Sequence, residues 1–427
     1  MKNNYFRLLS VALGLCIAVS NISCTDECVT TRTYRTTQPV VLMVEDIRKG
    51  IAAEGPQELV KPGKIYVKDN YLFINEIKKG IHIIDNTNPE KPLNMAFLKI
   101  PGVIDVAVKE NTLYADSYMD MVTFDITDPK SIKETGRVKN VFTNGLVEGI
   151  NWFYNAQSQT VTDYEFKIVT DKVRSNCGFE VVNPNPIYYY QDLNYAGADR
   201  SSGASGGTGK GGSMARFTIY DNYLYTVSQN DLLLFNIKTL SEPVQEGKIN
   251  LGWGIETIFP YKDKLFIGSN TGMYIFDNKN PAKPERVTMF EHARACDPVV
   301  VHNDIAYVTL RSGWCGVAPN RLDVVDVGNI AAPRLIKSYE MKNPAGLGID
   351  FPNLFICEGG YGLKSFDASS VSDIKLQQHI ENINAFDVIP MGGNHLLMIG
   401  QGGLYQYNTT DPKNMKLLSV IPVKKQP

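Results

Sequence analysis

GMYIFDNKNP, residues Gly272–Pro281, decides the fold. Apolar and aromatic residues run into Asp277, and a short polar turn closed by Pro281 follows. This is the pattern of a strand ended by an Asx turn. The carboxylate accepts a backbone N–H just beyond it, and proline fixes the exit. Six other segments end in the same way: Gly80–Asn86 (GIHIIDN), Met121–Pro129 (MVTFDITDP), Leu232–Ile237 (LLLFNI), Leu322–Ile330 (LDVVDVGNI), Gly362–Asp367 (GLKSFD) and Gly403–Asn408 (GLYQYN). The closing residues are Asp85, Asp125, Asn236, Asp277, Asp326, Asp367 and Asn408, at successive gaps of 40, 111, 41, 49, 41 and 41. One gap is long by about the size of a single insertion.

The same elements recur inside each period. In the copy spanning 253–293, IETIFPY, LFIGS, MYIFD and ERVTMF read as strands, separated by KDK, NTG and NKNPAKP as turns. Four short strands every 41 or so residues is the spacing of a β-propeller blade. Residues 62–427, less an insertion at 141–211, divide into seven copies of about 42 residues. The expected fold is therefore all-β: a seven-bladed propeller of four-stranded antiparallel blades, with a long insertion after blade two, or eight blades where 141–211 hides a degenerate copy. The insertion holds a strand-like run, TVTDYEFKIV, then NPNPIYYYQDLNY and SSGASGGTGKGG, and reads as a loop excursion with a flexible Gly/Ser-rich tip.

An apolar strand closed by Asp and followed by a proline turn resembles the LVIVD repeat, a propeller repeat of secreted and surface proteins. The resemblance covers about 62–427 outside the insertion. It implies a propeller and leaves the activity open, because propellers host many functions.

Composition agrees. The 427 residues carry 43 Lys+Arg against 45 Asp+Glu, a formal charge of −2, which argues against a nucleic-acid binder relying on a basic stripe. The 22 Tyr, 18 Phe, 35 Gly and 22 Pro are what many strands and turns require.

The N-terminus addresses the protein. Lys2 and Arg7 precede an apolar run of 12, Leu8–Val19, too short to span a bilayer. Ser23-Cys24 then resembles a bacterial lipobox, with residues 1–23 as signal peptide, Cys24 as the lipidated residue and 24–61 as anchor and leader. Thr25-Asp26-Glu27 is similar to the surface-export signal of Bacteroidota lipoproteins. The expectation is an outer-membrane lipoprotein exposed at the cell surface and attached through its lipid. In the leader, Val40–Val44 has the pattern of one further propeller strand.

Candidate sites follow from propeller geometry. Loops entering each inner strand and turns between second and third strands share one face around the channel. Those positions carry Glu76, Asp105, Asp116, Asp120, Asp231, Glu256, Asp297, Glu358 and Asp387, with Tyr118, Trp253, Trp314 and Tyr361 as flat faces for sugar rings and Arg294 and Arg311 as cations. Convergent carboxylates suit Ca²⁺ or a polyhydroxylated ligand. A carboxylate opening an inner strand also serves simply to accept N–H groups of the next blade, and that reading weighs against each residue singly. Cys296 and Cys315 fall near one another on this face and fit a disulfide, since envelope compartments permit one. His292 beside them completes only a fragment of a zinc site, and no metal site is assigned. The loop Arg311–Arg321 lengthens the fifth copy on the same face. In the Gly-rich tip, G-x-S-x-G at Gly203–Gly207 and G-x-G-x-x-G at Gly207–Gly212 lack the strand and helix such motifs need.

No catalytic constellation stands out. The expected function is a non-catalytic module binding a glycan, a peptide or an outer-membrane uptake partner. A hydrolase or lyase using channel carboxylates such as Glu256 and Asp297, with or without Ca²⁺, is the alternative, and a pure assembly scaffold is the third.

Overall fold

A computed structural model describes residues 27–147, 149–176, 209–292, 298–312 and 319–424. Among them, no helix is long and apolar enough to cross a membrane. The fold is all-β, a propeller of antiparallel sheets. Among the described residues there are eight sheets. Sheet I comprises Pro62–Lys68, Tyr71–Glu76, Gly80–Asp85 and Leu93–Lys99, with Ala52–Glu54 added at its outer edge. Sheet II runs from Val106–Lys109 to Lys133–Val138. Sheets IV to VIII begin at Phe217–Tyr220, Ile255–Tyr261, Val299–His302, Leu347–Asp350 and Ala385–Gly392, each with three further strands in chain order.

Sheet III is different. It takes Asn144–Val147, Ile150–Asn155 and Thr160–Asn176 from the insertion, and its fourth strand, Glu27–Met43, from the leader. The insertion is thus not a loop excursion. Its third strand lacks the apolar-Asp-Pro close, and its fourth partner lies over 100 residues away in sequence, so no local repeat betrays it. The leader departs from expectation too. Val40–Met43 belongs to sheet III, Val44–Lys49 is a short helix, and Ala52–Glu54 is the strand added to sheet I.

The chain divides into two compact units, Met1–Pro39 with Tyr164–Gln191, and Val40–Asp163 with Asp192–Pro427. In the described part of the first, the ribbon formed by the two long strands is held by Thr33 and Thr170 hydroxyls at 3.1 Å and by Tyr34 donating to Asp171 at 2.7 Å.

Within the second unit, first strands touch in the order I, II, IV, V, VI, VII, VIII, and sheet VIII returns to sheet I through its second strand. Sheet III stands outside that succession. Apolar clusters fill each junction; between sheets VIII and I, for example, Ile65, Leu72 and Ile74 meet Phe386, Ile389 and Leu397. The closing seam adds reciprocal amide bonds between Asn86 and Gln406 at 3.0 and 2.7 Å, and a parallel bridge from Leu59 to Val423.

The Asx turns form at every copy. Asp85, Asp125, Asn236, Asp277, Asp326, Asp367 and Asn408 each accept the N–H two residues on, at 2.8–3.0 Å. Directly after each, the register between third and fourth strands shifts by one residue, a bulge repeated in sheets I, II and IV–VIII. Such bulges increase strand twist, as a blade packed against two neighbours requires.

Candidate functional site

Antiparallel alternation places the entry ends of first strands beside the turns joining second to third strands. At this face the expected residues sort into three groups.

The carboxylates are buried and engaged. Asp105 accepts Lys64 Nζ at 2.6 Å and the N–H groups of Arg216, Phe217 and Val106. Glu76 accepts the N–H groups of Val60 and Lys61 and pairs with the buried His82. Asp116 accepts the N–H groups of Ile104 and Asp105, both at 2.8 Å, and burial pushes its carboxyl up to about 7. Burial would raise Asp120 as well, but Arg48, the Asn140 N–H and Arg137 outweigh it and hold the carboxyl below its ordinary range. Glu358 accepts the Lys342 N–H at 2.7 Å and pairs with Lys364. Glu256 and Arg311 are also buried, each about 6% exposed. These groups act as latches for backbone and neighbouring sheets. Among the described residues, no group of three or more His, Cys, Asp or Glu is arranged to hold a metal.

Asp387 leads to the second feature. Its carboxylate accepts the Ser213 hydroxyl at 3.2 Å, and Ser213 Oγ in turn accepts the Leu347 N–H at 3.1 Å. Ser213 belongs to the stretch before sheet IV, whereas Asp387 and Leu347 lie in sheets VIII and VII. Residues 209–216 (GKGGSMAR) therefore occupy the centre of the ring. Lys210 exchanges both backbone hydrogen bonds with Val67 of sheet I, at 2.7 and 2.6 Å, and the Gly209 N–H donates to Val108 of sheet II. Ala215 accepts from Ile258 of sheet V at 2.8 Å. Val67 and Val108 are at exit ends of their strands, while Leu347 and Asp105 are at entry ends, so the segment traverses the channel. This end of the Gly-rich tip is a plug, not free coil. Glycine is required there: a Cβ on Gly209 would lie 2.4 Å from the Tyr66 ring and 2.6 Å from the Val67 carbonyl oxygen. The one legible signal was position, because the residues preceding Phe217 had to reach a first strand at the channel wall.

The aromatics divide. Tyr118, expected as a sugar platform, is buried instead. Its ring packs edge-on against Trp152 of sheet III, with centroids 5.3 Å apart, and its hydroxyl donates to Asp163 at 2.6 Å. The backbone there is left-handed at φ 49°, and the ring sits on Gly102, where a Cβ would clash at 2.2 Å. Sheet III thus covers the loops of sheets I, II and IV. Lys78 grips Asp163 at 2.7 and 2.8 Å, Gln229 donates to Asn151 at 2.6 Å, and Arg216 reaches the Leu146 carbonyl. Trp253 and Tyr361, in loops of sheets V and VII, are 56% and 54% exposed. Cys24, Arg294, Cys296, Asp297, Trp314 and Cys315 lie outside the described residues.

With this geometry in hand, comparison with known proteins bears on the repeat. The LVIVD repeat model matches residues 62–96 and 295–341, which cover sheets I and VI. Curated proteins yield no match. Solved structures similar to the chain include the computationally designed Ika8 protein, at 7% identity and TM-score 0.49 over 86% of this chain and 89% of that one. The β-propeller domain of Cps50 (Swd1) from Myceliophteria thermophila matches at 9% identity and TM-score 0.48, over 86% and 98%. BamB from Moraxella catarrhalis matches at 8% and 0.46, over 88% and 97%.

Proposed function

We propose that the chain is a cell-surface lipoprotein, anchored through Cys24, whose propeller is a non-catalytic binding module for a glycan. The observation that carries this reading is the contrast at the entry face. Carboxylates suited to acid–base chemistry or Ca²⁺ are engaged by backbone N–H groups and lysines, while Trp253 and Tyr361 present open rings. Exposed aromatics on glycine-rich loops (LGWG at 251–254, GGYG at 359–362) suit the apolar faces of sugar rings, and Asn384 and Gln401 stand in a neighbouring sheet's turns. A hydrolase using channel carboxylates would have to break several of these latches, which is why binding is preferred. The scaffold reading shares the same exposed loops and differs in the partner.

The test is a thermal-shift and glycan-array screen of the purified mature protein, with divalent cations as a parallel arm. Binding that Trp253→Ala or Tyr361→Ala weakens at least tenfold supports the reading. A shift with Ca²⁺ alone, or glycan binding indifferent to both substitutions, overturns it. Lipidation is checked by the mass of the N-terminal peptide, and exposure by protease shaving of intact cells.

A further inference from the structure

Lys64 is buried at the entry face and takes no part in the proposed glycan contacts. It lies in the first strand of sheet I, and its ammonium meets Asp105, at the entry to the first strand of sheet II, at 2.6 Å with both side chains below 5% exposed. The Lys78–Asp163 pair, by comparison, leaves its lysine 20% exposed. Two backbone N–H groups, from Arg216 and Phe217, converge on the same Asp105 Oδ2, and the Val106 N–H holds Oδ1 at 2.8 Å. A second buried carboxyl, Asp116, sits against Asp105 through the Asp105 N–H.

We propose that Lys64 and Asp105 condense to an isopeptide bond that staples sheet I to sheet II, with Asp116 as the proton carrier. The parts are those an intramolecular acyl transfer needs. The nucleophile is an amine that burial makes easier to deprotonate, against the pull of Asp105. The acceptor carboxyl has one oxygen fixed by two N–H groups, which can stabilise the negative charge that develops there. Asp116, raised to about 7 by burial, is poised to give and take a proton near neutrality. The ammonium passes one proton to the Asp105 carboxyl, where it rests on Oδ1, the oxygen that will leave, and the free amine attacks Asp105 Cγ. The Nζ–Cγ bond forms while Oδ2 carries the charge. Asp116 delivers a proton to Oδ1 and recovers one from the nitrogen as the Cγ–Oδ1 bond breaks. Ammonium and carboxylate become amide and water, with no oxidant, reductant or cofactor required. The dry surroundings disfavour the reverse hydrolysis, since water has little access to the pair.

Mass spectrometry of the full mature protein decides the matter. The expected result is a branched peptide joining the Lys64 and Asp105 segments, lighter than their sum by one water, about 18 Da, with trypsin cleavage after Lys64 lost. Lys64→Arg and Asp116→Asn should yield two linear peptides, the latter variant keeping the folded state. Linear peptides from the folded wild-type protein, after prolonged incubation at neutral pH, overturn the proposal. A link formed equally fast in Asp116→Asn overturns the role given to Asp116.

Discussion

Ser213 donates its hydroxyl to Asp387 from the far side of the ring, so the residues that close the channel come from the chain's own midsection. The bore is narrow enough that side chains are excluded at its start. Gly209→Val should destabilise the fold by about 1–3 kcal/mol, the usual cost of overpacking. Gly55→Ala, with nothing within 4 Å of its added carbon, is the matched control and should be near neutral. Urea denaturation of both proteins makes the comparison.

Sheet III is fastened over the entry face chiefly through Asp163. Removing the Lys78 ammonium leaves that carboxylate buried beside the Tyr118 hydroxyl without its cation. Lys78→Met should cost about 1–3 kcal/mol, less than for a fully buried pair because the lysine is partly solvated. Loss of the Tyr118–Trp152 contact should also shift tryptophan emission to longer wavelength. Unchanged emission and stability would show that Asp163 does not fasten the sheet.

The raised Asp116 carboxyl carries a sign. Its value rises from an ordinary 3.8 to about 7, so between those values the folded state holds a proton that the unfolded chain has released. Stability from this group is present at low pH and falls as pH climbs from about 4 to 7, by at most about 1.4 kcal/mol per unit. Asp116→Asn keeps a neutral acceptor and should gain on the wild type progressively across that window. Parallel stability curves for the two proteins would refute the shift.

The repeat itself offers an internal control. Asn already replaces Asp at 236 and 408 and makes the same bond to the following N–H. Asp277→Asn should therefore be nearly silent, and Asp277→Ala should cost about 0.5–1 kcal/mol through the lost turn bond. Equal losses in both variants would point instead to the Lys279 ion pair.

Seven turns of this kind made the blades legible, because each is local: the strand and the Asx residue that closes it lie within a few positions. Sheet III was not legible, since its outer strand and its third strand are joined only in space. The entry face was half legible. Loop positions of Trp253 and Tyr361 follow from the period, but the period says nothing of what lies above Tyr118, and so its ring was misread as a platform. The partners of the described carboxylates are largely backbone groups, which no residue type announces. The plug was hidden by its composition, for glycines that look like slack are the residues a tight bore demands.

That bore also constrains the order of assembly. Residues 209–216 run from the exit ends of the first strands to their entry ends, and the seam at Leu59 and Val423 completes the ring around them. A ring sealed beforehand would have to admit a chain through a space too small for one extra methyl group at Gly209. Threading must precede sealing, so sheet VIII, which follows the other sheets of the ring in chain order, is also the gate that locks the midsection in place.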